Sequence, residues 1–274
     1  MAMGRCTIFT PSGEPLLKDI DCALPVHAKA TAPAVIIDRI AVAFGERRLF
    51  DDFSLRLDGG RTTCLLGPSG CGKSTLLKLI AGSGPALLTG TIHLDPPDAK
   101  PECAWMGQDD LLLPWLSLID NVLLGAKLRG ELTDALRLQA RDLLQLAGLS
   151  DHEHDLPSRL SGGMRQRGAL LRTLMEGRTI VLMDEPFSAL DALNRQRLQD
   201  LAVQMIYGRT VLLVTHDPLE ALRLADRVVV LAGSPARVVA SFLPPGRPPR
   251  RLDSTEIARQ YGELLAMLMD GDSL

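Results

Sequence analysis

Nine residues, GPSGCGKST at 67–75, limit what this chain can become more than any other stretch. They fit the spacing G-x-x-x-x-G-K-[ST], with an apolar run at 62–66 before them and a helical pattern at 73–81 after them. Gly67, Gly70 and Gly72 let the backbone wrap tightly, so that successive N–H groups of the stretch, those of Ser69 and Cys71 included but not Pro68, which has none, face phosphate oxygens. The following helix N-terminus adds its dipole. Lys73 can reach the outer phosphates, Ser74 offers a hydroxyl to Mg²⁺, and Thr75 can add a phosphate contact. A plain glycine-rich turn is the poorer reading.

The rest of the chain alternates strands with helices, the pattern of an α/β fold with a largely parallel sheet. Segments 35–44 and 49–57 predict two strands joined at Gly45-Glu46, and 90–94 alternates like a third. The apolar run 179–183 has the length and the uniformity of a buried parallel strand, and 210–215 and 227–231 follow it. Helices are expected at 117–128, 133–147, 163–175, 190–206 and 218–225, with Ser117 and Thr133 as N-caps. From about 111 to 156 the pattern holds helices without strands, which predicts a separate inserted lobe. Residues 1–34 form a weakly patterned extension. PPGRPPRR at 244–251 is read as a stiff, solvated basic linker ahead of a terminal amphipathic helix at 254–268.

A bound nucleotide triphosphate needs a metal ligand and a base for water. IVLMDEP at 180–186 supplies both: Asp184 leaves the end of an apolar strand, where it can hold Mg²⁺ through water, and Glu185 is placed to act as general base. Two acids that merely cap a helix are the bland alternative.

At this point the chain resembles an ABC transporter ATP-binding subunit. LSGGMRQR at 160–167 resembles the family signature, FSALD at 187–191 the D-loop, and VTHD at 214–217 the switch-histidine motif. Gln108 stands where the family has its Q-loop glutamine, and Phe44 matches the aromatic that stacks on adenine. The resemblance spans about 35–241. It implies the P-loop NTPase ABC fold, with a largely parallel sheet core, an antiparallel β subdomain and an inserted helical lobe at about 109–160. The ATPase domain would then be 35–243, and 244–274 would follow it. The implied substrate is ATP with Mg²⁺, held between two copies of the chain. Ser161 and Gly163 of one copy would close over the γ-phosphate bound by the other. Ser74, Gln108 and Asp184 would serve Mg²⁺, His216 would steady the attacking water, and Asp191 would help couple the sites. One departure is Met164, where the signature usually has glutamine.

The implied function is ATP hydrolysis coupled to solute uptake. Partners would be two membrane permease subunits and a solute-binding protein, with this chain at the cytoplasmic face of the inner membrane. QDDLLLPW at 108–115 resembles the bacterial importer branch serving nitrate, sulfonate, taurine and thiamine-pyrimidine precursors, the last by preference. Leu112, Leu113 and Trp115 are expected to line a groove for a permease helix. The competing reading is a cytosolic ABC ATPase of the iron–sulfur assembly type. A net charge of -3 gives no drive toward nucleic acid, and no apolar run approaches the roughly 20 residues of a membrane span. Five cysteines without a C-x-x-C pair fit reduced thiols. DHEHD at 151–155 is read as a solvated polar loop rather than a metal site, and Trp105 as core.

Overall fold

The computed structural model describes residues 32–100 and 102–271. The extension up to 31, with Cys6, Cys22 and His27 and the faint echo of 44–52 at 7–19, lies outside them. The elements run β1 (Ala34–Phe44), β2 (Arg47–Leu57), β3 (Thr62–Leu66), α1 (Lys73–Ile80), β4 (Thr89–Asp95) and β5 (Cys103–Met106). The helices α2 (Leu118–Val122), α3 (Leu124–Arg129), α4 (Asp134–Leu146) and α5 (Gly162–Met175) follow. Then come β6 (Ile180–Asp184), α6 (Ala192–Ile206), β7 (Thr210–Val214), α7 (Pro218–Leu224), β8 (Arg227–Ala232), β9 (Arg237–Phe242) and α8 (Thr255–Gly271).

Two sheets form. The larger has the order β5-β6-β7-β3-β8-β9, parallel except for β9, which pairs antiparallel to β8. The smaller is antiparallel, β2-β1-β4. Buried apolar strands alternate their side chains between two layers. Cys64, Val181, Met183, Val211, Leu213 and Val228 join the core shared with α5, α6 and α7. Leu65, Leu182, Leu212 and Val229 join the other, shared with α1 and the antiparallel sheet. The parallel sheet is thus covered on both faces, as uninterrupted apolar strands require.

Two expectations need correction. The helix expected over 117–128 divides at Leu123, whose φ of -90° and ψ of 3° end α2 and start α3. Gly125 of α3 lies so close to Glu176 that an added Cβ would sit 2.0 Å from the carboxylate. The inserted helical lobe packs onto the main core: Leu118, Ile119, Val122 and Leu144 join one hydrophobic cluster with Val181 and Met183 of β6.

The second correction concerns 244–251. Arg250 is only 6 % exposed. Its guanidinium donates five hydrogen bonds, to the carbonyls of Leu222, Ala225, Pro244, Pro245 and Gly246 at 2.6–3.2 Å. Every N–H of the guanidinium is used. The proline-rich stretch is therefore tied to the end of α7, and α8 docks behind it through buried Ile257 and Leu264.

Candidate functional site

The strand order places β6, β7 and β3 side by side. Because all three run parallel, their C-terminal ends open on one edge, where open α/β sheets bind ligands. The loop 67–72 leaves β3 there, Asp184 and Glu185 end β6, and Thr215 and His216 follow β7. Residues distant in sequence converge for this reason alone.

The loop closes through its own polar groups. Lys73 is buried, and its Nζ donates to the carbonyls of Gly67 at 2.6 Å and Pro68 at 2.8 Å, with Cys71 Sγ 3.9 Å away. Gly72 caps α1 with a φ of 101°, and a Cβ there would meet the Phe50 ring at 2.8 Å. Both the conformation and the space call for glycine. Ser69 and Gly70 face solvent, and Ser74 and Thr75 are half-buried in the first turn of α1.

The Ser74 hydroxyl stands near the Asp184 carboxylate. Burial raises the Asp184 pKa; the Ser74 hydroxyl and the charge of Lys73 oppose it, and the charge of Glu185 adds to it. A serine hydroxyl beside a carboxylate is an all-oxygen donor set, which suits Mg²⁺ with part of its water shell retained. The residues present fit that ion.

Glu185 sits in the left-handed region, at φ 49°. Its N–H donates to the Val214 carbonyl at the end of β7, 2.9 Å away. Its carboxylate Oε2 lies 3.2 Å from His216 Nδ1, so the two adjacent strands present an acid–imidazole pair. His216 is largely exposed, between buried Thr215 and Asp217, the N-cap of α7.

Phe44 ends β1 with its ring 55 % exposed. The turn behind it touches the phosphate loop through Arg47, whose guanidinium donates to the Gly70 carbonyl at 3.2 Å. Gln108 lies two residues beyond β5 and is exposed; among the described residues it makes no hydrogen bond to Ser74 or Asp184. Ser161 caps α5 by accepting from the Met164 N–H. Gly163 sits in the first turn, where a Cβ would meet the Ala189 carbonyl at 3.1 Å. Among the described residues, no hydrogen bond joins Ser161 or Gly163 to the loop 67–75. Ser161 and Gly162 are exposed, and Gly163 is half-buried. Asp191 caps α6, accepting from Asn194 N–H and Nδ2, and those bonds hold its carboxyl below the ordinary range.

The segment 108–117 has its own framework. Asn121, fully buried, accepts from the Leu113 N–H and donates to the carbonyls of Leu113, Leu116 and Ser117. Asp110 accepts from Arg165 Nε of α5 at 2.9 Å, and Arg172 donates to the carbonyls of Asp110 and Leu111. Leu112 is 7 % exposed and packs in the main core, which removes it from the expected groove. Leu113 is half-buried, while Leu111 and Trp115 stand out at 52 % and 71 % exposure.

Several residues here carry no sequence signal. Asn121, Asp110, Arg165 and Gln166 look like ordinary polar positions until their partners are known. His152 and His154 pair with Asp155 and Glu153. Trp105 is half-buried against the core that contains α1.

Similarity to known proteins points one way. The sequence profile described as ABC transporter matches residues 50–188. An "Uncharacterized ABC transporter ATP-binding protein" of Haemophilus influenzae is 43 % identical, covering 85 % of this chain and 98 % of its own length. An "Aliphatic sulfonates import ATP-binding protein SsuB" of Pectobacterium atrosepticum is 41 % identical over 89 % of this chain and 92 % of its own. Among solved structures, a dimeric ATP-binding cassette in a post-hydrolysis state, bound to ADP and Pi, superposes with a TM-score of 0.66 at 26 % identity. It covers 77 % of this chain and 99 % of that one.

Proposed function

Because the chain belongs to the ABC transporter ATP-binding family, we propose that it is the ATPase subunit of a solute importer, working as a dimer of two copies against separate permease subunits. The observation that carries the site assignment is the Glu185–His216 pair beside the loop 67–75. ATP binds with its phosphates in the cradle 67–75 and its adenine on Phe44. The Lys73 amine exchanges the carbonyls of Gly67 and Pro68 for phosphate oxygens. When bound, Mg²⁺ would be held by Ser74, Asp184 and Gln108 and would supply charge neutralisation at the triphosphate. Glu185 takes the proton of the attacking water, and His216 holds that water and the γ-phosphate in line. Ser161 and the first N–H groups of α5 in the second copy close over the γ-phosphate, where the helix N-terminus favours the anion.

The dimeric cassettes among the solved relatives support the two-copy arrangement. Among the described residues, no helix is long and apolar enough to cross a membrane. The relatives named for import support a peripheral subunit at the cytoplasmic face, serving permeases fed by a solute-binding protein. The cytosolic iron–sulfur assembly reading is not favoured. For the solute, relatives named for aliphatic sulfonate import favour a sulfonate over a thiamine pyrimidine precursor. A deletion strain should then fail to grow on an aliphatic sulfonate as sole sulfur source; normal growth refutes that assignment.

Glu185→Gln should trap an ATP-bound dimer on size exclusion. A monomer at saturating ATP would refute the two-copy mechanism.

A further inference from the structure

Gln166 sits on α5, inside the stretch 160–167 and about one turn after its first residues, and is 7 % exposed. Its side-chain amide is fully engaged with the segment that follows β6. Nε2 donates to the Glu185 carbonyl at 3.0 Å and to Ser188 Oγ at 3.1 Å, and Oε1 accepts from the Ala189 N–H at 2.8 Å. The Ser188 hydroxyl donates to the same Glu185 carbonyl at 3.0 Å.

Glu185 is therefore held from both sides. Its N–H is fixed to β7 through Val214, and its carbonyl is fixed to α5 through Gln166. Between these anchors the backbone takes a left-handed conformation that a residue with a Cβ adopts only when its surroundings impose it. That conformation sends the carboxylate toward His216.

We infer that Gln166 is a positioning residue for hydrolysis: it holds the backbone of Glu185 in the conformation that presents the carboxylate to the attacking water, without itself touching nucleotide. The inference rests on the proposed role of Glu185. It also gives α5 two tasks. Its first turn carries Ser161, which faces the partner's ATP in the proposed sandwich. One turn later the same helix sets the base of its own chain's site. A shift of α5 on engaging the partner's nucleotide would reach Glu185 through one amide.

The test uses the full chain with Gln166→Met, which keeps length and apolar bulk and deletes all three bonds. Misplacement of a reacting group by about 1 Å costs on the order of a hundredfold in rate, so kcat should fall by about tenfold or more. KM and the affinity for a fluorescent ATP analogue should stay within about twofold. Because hydrolysis then fails to dissolve the sandwich, an ATP-dependent dimer should accumulate with Glu185 intact. A packing defect alone would instead lower affinity and leave no dimer, and that result overturns the inference, as does a kcat within about twofold of the parent. Should Gln166→Met not fold, Ser188→Ala removes an exposed hydroxyl from the same carbonyl. It should give a smaller fall in kcat at constant KM; no fall overturns the inference. The parent chain separates the two levels. Absent ATPase in the parent brings down the proposed function, whereas an active parent with unchanged variants brings down only the role of Gln166.

Discussion

Replacing Arg250 with methionine keeps most of the side chain's length and deletes five N–H donors. Three of the bonds lost, to Leu222, Ala225 and Pro244, are buried. A buried carbonyl left without a donor costs about 1–3 kcal/mol. Burial lowers the pKa of the guanidinium, which shows that its charge is itself expensive to bury, and the substitution recovers part of that. Three carbonyls at the middle of that range, less the recovered desolvation, leave a net loss of about 4 kcal/mol. For a chain of this size each kcal/mol moves Tm by about 2–4 °C, so the expected drop is roughly 10 °C. The loss should also be local. Arg223 exchanges backbone and side-chain bonds with Arg250, and α8 follows directly, so α8 should become the first site of proteolysis. Scanning calorimetry and limited proteolysis read both effects. Arg250→Lys should recover less than half, since an ammonium offers three donors without the planar fork. A Tm for Arg250→Met within about 2 °C of the parent, with α8 still protected, refutes the reasoning.

Two more outcomes follow from the geometry. Glu220 on α7 is 5 % exposed; burial raises its pKa to about 7, with Asp217 adding to the rise and the Thr215 and Gln199 bonds and Arg195 opposing it. The folded chain therefore keeps a proton that the unfolded chain releases near the ordinary value of 4.5. The stabilisation this brings is complete below that value and is lost as pH rises to about 7, by roughly 3 kcal/mol at most. Glu220→Gln should remove that slope from urea midpoints measured across the window, and an unchanged slope refutes it. Trp115→Ala removes an aromatic side chain that is 71 % exposed and should abolish solute uptake in cells while ATP affinity of the purified chain stays within about twofold; normal uptake excludes Trp115 from the permease contact.

What the sequence makes legible is local or set by fixed spacing. The strand at 62–66 is found as expected because five buried residues lie between glycine turns. Ser117 and Thr133 cap α2 and α4 because each needs only an N–H three residues on. The phosphate cradle is legible for the same reason. The strand Arg237–Phe242 escapes notice: it is a short edge strand with exposed residues, defined only by its pairing with β8. Arg250 misleads because its neighbours are prolines and arginines, while two of its partners lie 25 and 28 residues earlier. Leu112 and Leu113 are identical letters in an apolar run. Only the fold decides that one is core and the other half-covered.

The Asn121 side chain has a consequence for how such a chain can change. One buried amide sets the path of the loop from Leu113 to Ser117 from within, by grasping backbone rather than side chains. The shape of the loop thus does not depend on what Leu111 or Trp115 display outside it. The exposed side chains at those two positions can change while the scaffold, and the nucleotide site beyond it, stay as they are. What the surface displays and the frame that holds it become separately editable.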